Sequence, residues 1–337
     1  MELNETITNT SNSLNQNETE NISEEKDNSD KNGISVSVKP RKKFINTVWC
    51  AILFAIILFI LSIGIQAVAG FVGMIGPASK IMAEVGGDMD AYLTEINSFI
   101  QNSNYLTTVQ TVSVILSLVL SLIAYYFGFV RRDIKKKRFE NVLPKICNPN
   151  SIFFIICGTI AVMSLVSVLS ILSRFMFPKM DDMLNQVMDV SFGDNLAVAM
   201  FLVAFLAPIS EELLVRGILI RHTANTFGLA GCMILTTVFF SLYHMNPIQS
   251  IYVIPMGLFW GFLAYKFKSV VPGIICHMIN NFASGYLNMT IGTEMKKIWI
   301  YLIIFVVFAA VTILLGKNNK VLNDGKLKRN GEKRNDN

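Results

Sequence analysis

Apolar residues gather into long runs along the chain, separated by short polar stretches. A helix needs about 20 apolar residues to cross a hydrocarbon core of ~30 Å. Runs of suitable length occur at 44–76, 105–130, 151–177, 195–221, 229–246, 249–267, 270–289 and 297–316. Within lipid, each segment must satisfy its own backbone hydrogen bonds, which favours helices. The pattern predicts an all-α polytopic membrane protein with about eight transmembrane helices, of which the fourth to seventh are interrupted by polar residues.

Polar residues fill both ends of the chain. Residues 1–43 are rich in Asn, Ser, Thr and Glu, a composition that predicts a disordered N-terminal tail. Residues 317–337 form a basic C-terminal tail, which leaves 44–316 as the transmembrane domain. No signal peptide is expected, because a long acidic segment precedes the first apolar run. Hydrophobic residues make up 52% of the chain and charged residues 16%, a balance that excludes an ordinary soluble domain.

Lysine and arginine in the short loops indicate how the spans are oriented. Basic residues precede the first span and follow the second, fourth, sixth and eighth, at 39–43, 131–138, Arg221, 266–268 and 317 onwards. The alternate loops, 84–95 and 179–194, are acidic or neutral. The positive-inside rule therefore places both termini in the cytoplasm. The net charge of +5 is explained by this asymmetry and by attraction to anionic membrane lipids, so no nucleic-acid partner is expected.

Three ionisable residues interrupt the fourth run, in the stretch APISEELLVRG at 207–217. A charged side chain within a span is costly unless it is paired, which makes it a functional candidate. Glu212 and Arg216 are at i and i+4 with the acid first, the favourable order for an ion pair on a helix. Glu211 points about 100° away around the helix and has no such partner in the sequence. We therefore expect Glu212 to be structural and Glu211 to be available as a general base.

Two of the three histidines also fall in apolar runs. In FSLYH, Phe240 and His244 share one helix face, and in HMINN, His277 and Asn281 do the same. Together with Glu211 they supply a base, a second proton carrier and neutral donors for a developing oxyanion. Glu211 and the two histidines also form a possible three-ligand zinc set. A purely structural cluster that ties three helices together is the remaining alternative.

The three motifs together resemble a known family. EELLVR matches EExxxR, FSLYH matches FxxxH and HMINN matches HxxxN, in the order found in the CPBP intramembrane proteases. This family is also called the Abi or CAAX-protease family and includes the eukaryotic Ras-converting endopeptidase. The matches extend from Pro208 to Asn281, within a motif core at 205–285 of the domain 44–316.

The resemblance implies a role for each residue. It implies that the catalytic residues are Glu211, His244, His277 and Asn281, supported by Glu212, Arg216 and Phe240. Glu211 would activate the attacking water with help from His244. His277 and Asn281 would stabilise the tetrahedral oxyanion. The family was long described as metalloproteases, whereas its best understood members resemble glutamate-dependent proteases without a bound metal, so zinc stays open as a cofactor.

The resulting prediction is an intramembrane glutamate-dependent endopeptidase. Its partners would be membrane lipids and a membrane-associated or lipidated protein or peptide substrate, entering from the cytoplasmic leaflet. Eukaryotic relatives trim prenylated CAAX proteins, while many bacterial relatives resemble bacteriocin self-immunity or peptide-processing proteins. A multi-pass protein of the bacterial plasma membrane is the favoured setting.

Two other functions use the same polar residues. A non-catalytic membrane immunity or scaffold protein would use them to join helices. A transporter would use the glutamates and histidines as a proton relay, although the sequence shows no inverted repeat and no paired broken helices.

His244 poses a geometric problem for the catalytic assignment. At about 1.5 Å per residue, Glu211 and His277 fall in the cytoplasmic half of the membrane, while His244 falls nearer the outer side if its helix runs straight. The fifth helix must therefore tilt steeply or stop short. The stretch HMNPIQS at 244–250 offers a break at Pro247, which we expect to line a wet cavity.

A small-xxx-small pattern, GLFWG at 257–261, lies on the sixth run. Such patterns let a second helix approach closely, although they also arise by chance in membrane helices that contain glycine. A close helix contact at Gly257 and Gly261 is one of the two outcomes that the sequence leaves open.

Overall fold

The computed structural model describes residues 41–137, 141–192, 196–290 and 295–323. These residues are almost entirely helical, and no strand occurs among them, which confirms the predicted all-α class. Contacts divide the chain into a unit Met1–Asn46 and a unit Thr47–Asn337. The predicted tails lie outside the described residues except for 41–43, which begin the first helix, and 317–323.

The first half of the chain contains three of the longest helices. The elements are α1 (Arg41–Glu84), α2 (Met89–Ile100), α3 (Ser103–Tyr125), α4 (Arg131–Lys135), α5 (Leu143–Ile146), α6 (Pro149–Met176) and α7 (Pro178–Phe192). A π-helical segment, Tyr126–Val130, joins α3 to α4 without interruption. The second predicted span is therefore one continuous helix, Asn104–Lys135.

The second half of the chain carries the polar motifs. Its elements are α8 (Leu196–Phe201), α9 (Ala207–Glu212), α10 (Arg221–Tyr243), α11 (Pro247–Tyr252), α12 (Ile254–Phe267), α13 (Val271–Thr290) and α14 (Ile298–Asn318). Two π-helical segments, Leu202–Leu206 and Leu213–Ile220, lie on either side of α9. The fourth predicted span is thus a single helix of alternating α and π turns.

Six helices among the described residues are long and apolar enough to cross a membrane. They are Ile45–Glu84, Asn104–Lys135, Pro149–Met176, Leu196–Ala224, Thr226–Tyr243 and Met295–Asn318. The sixth predicted span is divided between α11 and α12, and the seventh, α13, carries several polar residues. The protein is therefore a polytopic membrane protein, and the number of eight spans stays a prediction.

Asparagine followed by proline begins two of the helices. Asn148 accepts a hydrogen bond from the backbone N–H two residues further on at 3.0 Å, and Pro149 occupies the first turn of α6. Asn246 caps α11 in the same way at 2.9 Å, with Pro247 in its first turn. An asparagine cap satisfies a free N–H, and proline suits a position whose N–H has no helical partner. These pairs fix where the two helices start.

Helices α10 and α12 approach each other closely at the two glycines of GLFWG. A Cβ atom on Gly257 would lie 3.0 Å from the backbone Cα of Thr237. A Cβ atom on Gly261 would lie 3.0 Å from Oγ1 of Thr236. Only glycine leaves room for such a contact. Of the two outcomes that the sequence left open, the structure therefore shows the close helix contact.

The helix of the fifth predicted span breaks within the stretch HMNPIQS, where the sequence predicted a break. Helix α10 ends at Tyr243, and it is kinked at Gly228, which has φ 65° and ψ −164°. Met245 then adopts a positive φ of 51°, and α11 begins at Pro247. The predicted break is confirmed, while the wet cavity beside it stays a prediction.

Candidate active site

A fully buried ion pair forms the base of the site. Arg216 Nη1 donates to Glu212 Oε1 at 2.8 Å, and both side chains are completely buried. His277 Nδ1, from α13, lies 3.2 Å from the same carboxylate oxygen. An ionised carboxylate only accepts, so Nδ1 carries the proton and donates to Glu212. Glu212 therefore fixes the orientation of the His277 ring as well as the charge of Arg216.

Glu211 faces the other nitrogen of the same imidazole. Its Oε2 lies 3.7 Å from His277 Nε2, and its side chain is 22% exposed, unlike that of Glu212. This separation is too long for a direct hydrogen bond, so both atoms remain able to bond a third partner such as water. The group that faces Glu211, His277, lies on another helix. Residue spacing along the helix of Glu211 could therefore not predict it.

Aromatic rings enclose these charged groups. The Trp260 ring stacks on His277 with centroids 4.3 Å apart and planes at 25°. Phe240 meets His277 edge-on at 5.7 Å, and the guanidinium carbon of Arg216 lies 4.4 Å from the Phe240 ring centre. Both aromatic side chains are almost completely buried. The site is thus screened from water on this side, which strengthens its electrostatic interactions.

His244 joins the cluster through Phe240. Its Nδ1 lies 2.7 Å from the backbone carbonyl oxygen of Phe240, and its ring packs edge-on against the Phe240 ring at 4.7 Å. A carbonyl only accepts, so Nδ1 carries the proton and Nε2 of the neutral ring keeps a free lone pair. The Phe240 ring also packs edge-on against His277 at 5.7 Å, so it contacts both histidines. The structure therefore connects His244 to His277 through Phe240, and His277 to Glu211.

Asn281 is held by a different set of contacts. Its Nδ2 donates to the carbonyl oxygen of Val203 at 3.0 Å, and its Oδ1 accepts from Asn280 Nδ2 at 3.2 Å. Val203 lies in the π-helical segment just before α9, so the bond to its carbonyl joins α13 to the helix that carries Glu211. An amide nitrogen has two N–H groups, which leaves one for another acceptor.

Three residues at the site were not identified from the sequence. Trp260 gave no signal distinct from that of a core tryptophan, and Asn280 is buried beside the expected Asn281. Gly273 matters because a Cβ there would lie 2.9 Å from Glu212 Oε2. The backbone of α13 must approach the buried carboxylate closely, and only a residue without a side chain permits this.

The zinc set that the sequence left open, Glu211 with His244 and His277, stays a prediction. No group of three or more His, Cys, Asp or Glu side chains with metal-holding geometry occurs within the parts of the chain that the structure describes. Both ring nitrogens of His277 face carboxylate oxygens. We therefore derive no chemical step through a metal ion.

The fold and site together define an integral membrane helical protein with a buried glutamate–histidine centre. Residues 193–283 match the family model described as Rce1-like, type II CAAX prenyl endopeptidase Rce1-like. The match contains all of the site residues and supports assignment to the CPBP, or CAAX-protease, family, as the motifs indicated. The assignment points to peptidase activity in general. Searches of the curated proteins and of the solved structures gave no significant match.

Proposed function

We propose that this protein is an intramembrane endopeptidase that uses Glu211 as its general base. The observation that carries the proposal is the contrast between two adjacent glutamates. Glu212 is fully buried and bonded to Arg216 and His277, whereas Glu211 is partly exposed and has no close hydrogen bond to His277. A base must reach both water and substrate, and the partial exposure of Glu211 supports this role.

The proposed reaction begins with a water molecule bound to Glu211. Glu211 removes a proton as the water oxygen attacks the peptide carbonyl carbon, and the carbonyl oxygen becomes an oxyanion. The proton then passes to the amide nitrogen, the carbon–nitrogen bond breaks, and a carboxylic acid and an amine leave. We assign to His244 the acceptance of a proton during this transfer, because the bond of its Nδ1 to Phe240 leaves a lone pair on Nε2.

The oxyanion is assigned to donors on α13. The second N–H of Asn281 Nδ2 is available to an acceptor, and His277 can donate from Nε2 when that nitrogen is protonated. Donors fixed in advance stabilise charge without having to reorient during the reaction. The bonds of His277 to Glu212 and of Asn281 to Val203 provide this fixed placement.

The proposed substrates are membrane-associated or lipidated proteins and peptides. The assigned base lies in the apolar span Leu196–Ala224, which supports a substrate that is itself held in the membrane. The motif resemblance and the family match support a peptide bond as the target. Bacteriocin self-immunity and peptide maturation are the proposed physiological settings.

Cleavage of a peptide pool tests the proposal. Wild type and Glu211→Gln are purified in detergent and incubated with membrane-derived and prenylated peptides, with and without a zinc chelator, and new termini are identified by mass spectrometry. Glu84→Gln is the matched control, since Glu84 is an exposed glutamate at the end of α1. We expect products from the wild type and Glu84→Gln only. Equal cleavage by Glu211→Gln would reject the assigned base, and loss of cleavage with the chelator would show dependence on a metal.

A further inference from the structure

Two serines hold the ends of the His244 loop together. Ser250 Oγ donates to the carbonyl oxygen of Ser241 at 2.8 Å, and Ser241 Oγ donates to the carbonyl oxygen of Ser250 in return. Ser241 lies in the last turn of α10 and Ser250 in α11, so the two bonds connect separate helices. We call this reciprocal pair the serine clasp.

The clasp acts where the backbone has lost regular helical hydrogen bonds. The final carbonyls of a helix lack intrahelical partners, and within a membrane such groups need another donor. The amide of His244 reaches the Ser241 carbonyl only at 3.4 Å. The Ser250 hydroxyl provides a shorter hydrogen bond to this oxygen, at 2.8 Å. The Ser241 carbonyl therefore receives a stronger hydrogen bond from the clasp than from the backbone.

His244 lies inside the ring that the clasp closes. Between the two serines the chain passes through Met245, with its positive φ of 51°, and Asn246, which caps α11. The imidazole is held by one hydrogen bond, to the carbonyl of Phe240 in the adjoining turn. The position of the ring therefore depends on the end of α10 keeping its shape.

We propose that Ser241 and Ser250 are positioning residues that hold His244 in its place for proton transfer. The inference rests on the proposed protease function and assigns the clasp a role in it. Neither serine touches Glu211 or His277 through a hydrogen bond of its own. Their effect must pass through the turn that carries His244.

The first test observes His244 directly, without substrate. The chain contains only three histidines, so protein labelled with ¹³C-histidine gives three imidazole signals, and His244→Gln identifies the relevant one. We expect Ser241→Ala and Ser250→Ala each to shift or split the His244 signal while the His222 signal stays in place. An unchanged His244 signal in both variants would overturn the proposal.

The second test measures turnover. A misplaced catalytic group lowers the rate steeply, so we expect kcat to fall about 10-fold in each alanine variant with KM unchanged. The double variant should be no slower than the single ones, because the two bonds act as one unit. Ser250→Thr keeps the hydroxyl and should restore most of kcat.

Ser164→Ala is the matched control for both tests. Ser164 is a buried serine whose hydroxyl bonds to Ile160 O at 2.8 Å within α6, far along the chain from His244. We expect its kcat and its His244 signal to equal those of the wild type. Glu211-dependent cleavage with unchanged kcat in the clasp variants would reject the clasp alone. A wild type that cleaves no peptide would reject the protease proposal, and the histidine signals would still show whether the clasp holds His244.

Discussion

Glu211 and Glu212 are neighbours in sequence but occupy different surroundings. Adjacent residues point about 100° apart around a helix. Glu212 therefore faces the interior, where Arg216 and His277 bind the same carboxylate oxygen. The Glu211 side chain lies in a partly exposed position. Two adjacent positions on one helix therefore separate a fully buried, paired glutamate from a partly exposed one.

Replacing Glu212 should destabilise the protein more than replacing Glu211. Glu212→Gln leaves the buried Arg216 charge without its counter-ion, and breaking such a pair costs about 3–5 kcal/mol. Glu211→Gln removes no buried ion pair and should leave stability nearly unchanged. Thermal unfolding in detergent, followed by tryptophan fluorescence, measures the difference. Equal Tm values for the two variants would contradict the structural role of Glu212.

Trp260 should influence the rate through its stacking on His277. Aromatic pairs contribute about 0.5–1.5 kcal/mol beyond their burial, so Trp260→Leu should lower kcat by up to about 10-fold. Trp260→Phe keeps a ring in this place and should retain most of the rate. Steady-state cleavage by the two variants makes the comparison. A leucine variant as fast as the phenylalanine one would show that the stacking has no part in catalysis.

The residues that could be predicted from the sequence are those whose partners lie on the same helix. Glu212 with Arg216 follows from spacing alone, and the ion pair is where the spacing placed it. Trp260 and the serine clasp could not be predicted in this way. Their partners are set by how helices cross, and an aromatic or serine residue in an apolar run has the same pattern whether or not it meets a functional group.

At the scale of elements, the break after His244 could be predicted, but the kink before it could not. Asn246 and Pro247 form a recognisable start signal for a new helix, so the preceding one had to end. Gly228 adopts a positive φ within α10, yet a single glycine in a membrane helix is common and gives no indication of its backbone angles. The predicted stopping point follows from local chemistry, whereas the kink depends on packing.

The contact between α10 and α12 should be sensitive to one added methyl group. Gly257→Ala places a Cβ against the backbone of Thr237, which cannot move without shifting α10, and overpacking of this kind costs about 1–3 kcal/mol. Gly64→Ala is the control, because a Cβ on this glycine of α1 meets no atom within 4 Å. We expect Tm to fall for Gly257→Ala and not for Gly64→Ala. A similar Tm for both would show that the helices have room to separate.

At the scale of the whole molecule, two separate contacts join basic ends of the spans to other parts of the chain. Arg221 Nη1 lies 2.6 Å from Asp133 Oδ2, which joins the ends of the second and fourth predicted spans. Lys266 Nζ donates to the carbonyl oxygen of Leu322 at 2.9 Å, which joins the end of α12 to the chain beyond α14. These contacts agree with the alternation of charge that predicted the orientation.

Reporter fusions should show the basic loops on the cytoplasmic side. We expect a reporter inserted after Lys137, or fused after Asn323, to be active only as a cytoplasmic protein. A reporter inserted at Gly86, in the acidic loop after α1, should be active only outside. Fluorescent-protein and alkaline-phosphatase fusions at each point measure the sidedness. The same sidedness at Gly86 and Lys137 would contradict the predicted orientation.

The π-helical turns around α9 make the fourth span sensitive to the number of its residues. A π turn holds an additional residue compared with an α turn, and such turns are often found at functional sites. Removing one residue from 213–215 would convert π turns to α turns and would place Arg216 three residues after Glu212 instead of four. The pairing of Arg216 with Glu212 would then lose its spacing, although each remaining side chain would be the same. Insertions and deletions should therefore be tolerated less well in this segment than changes of residue type. The number of residues in the segment is constrained more strictly than their identity.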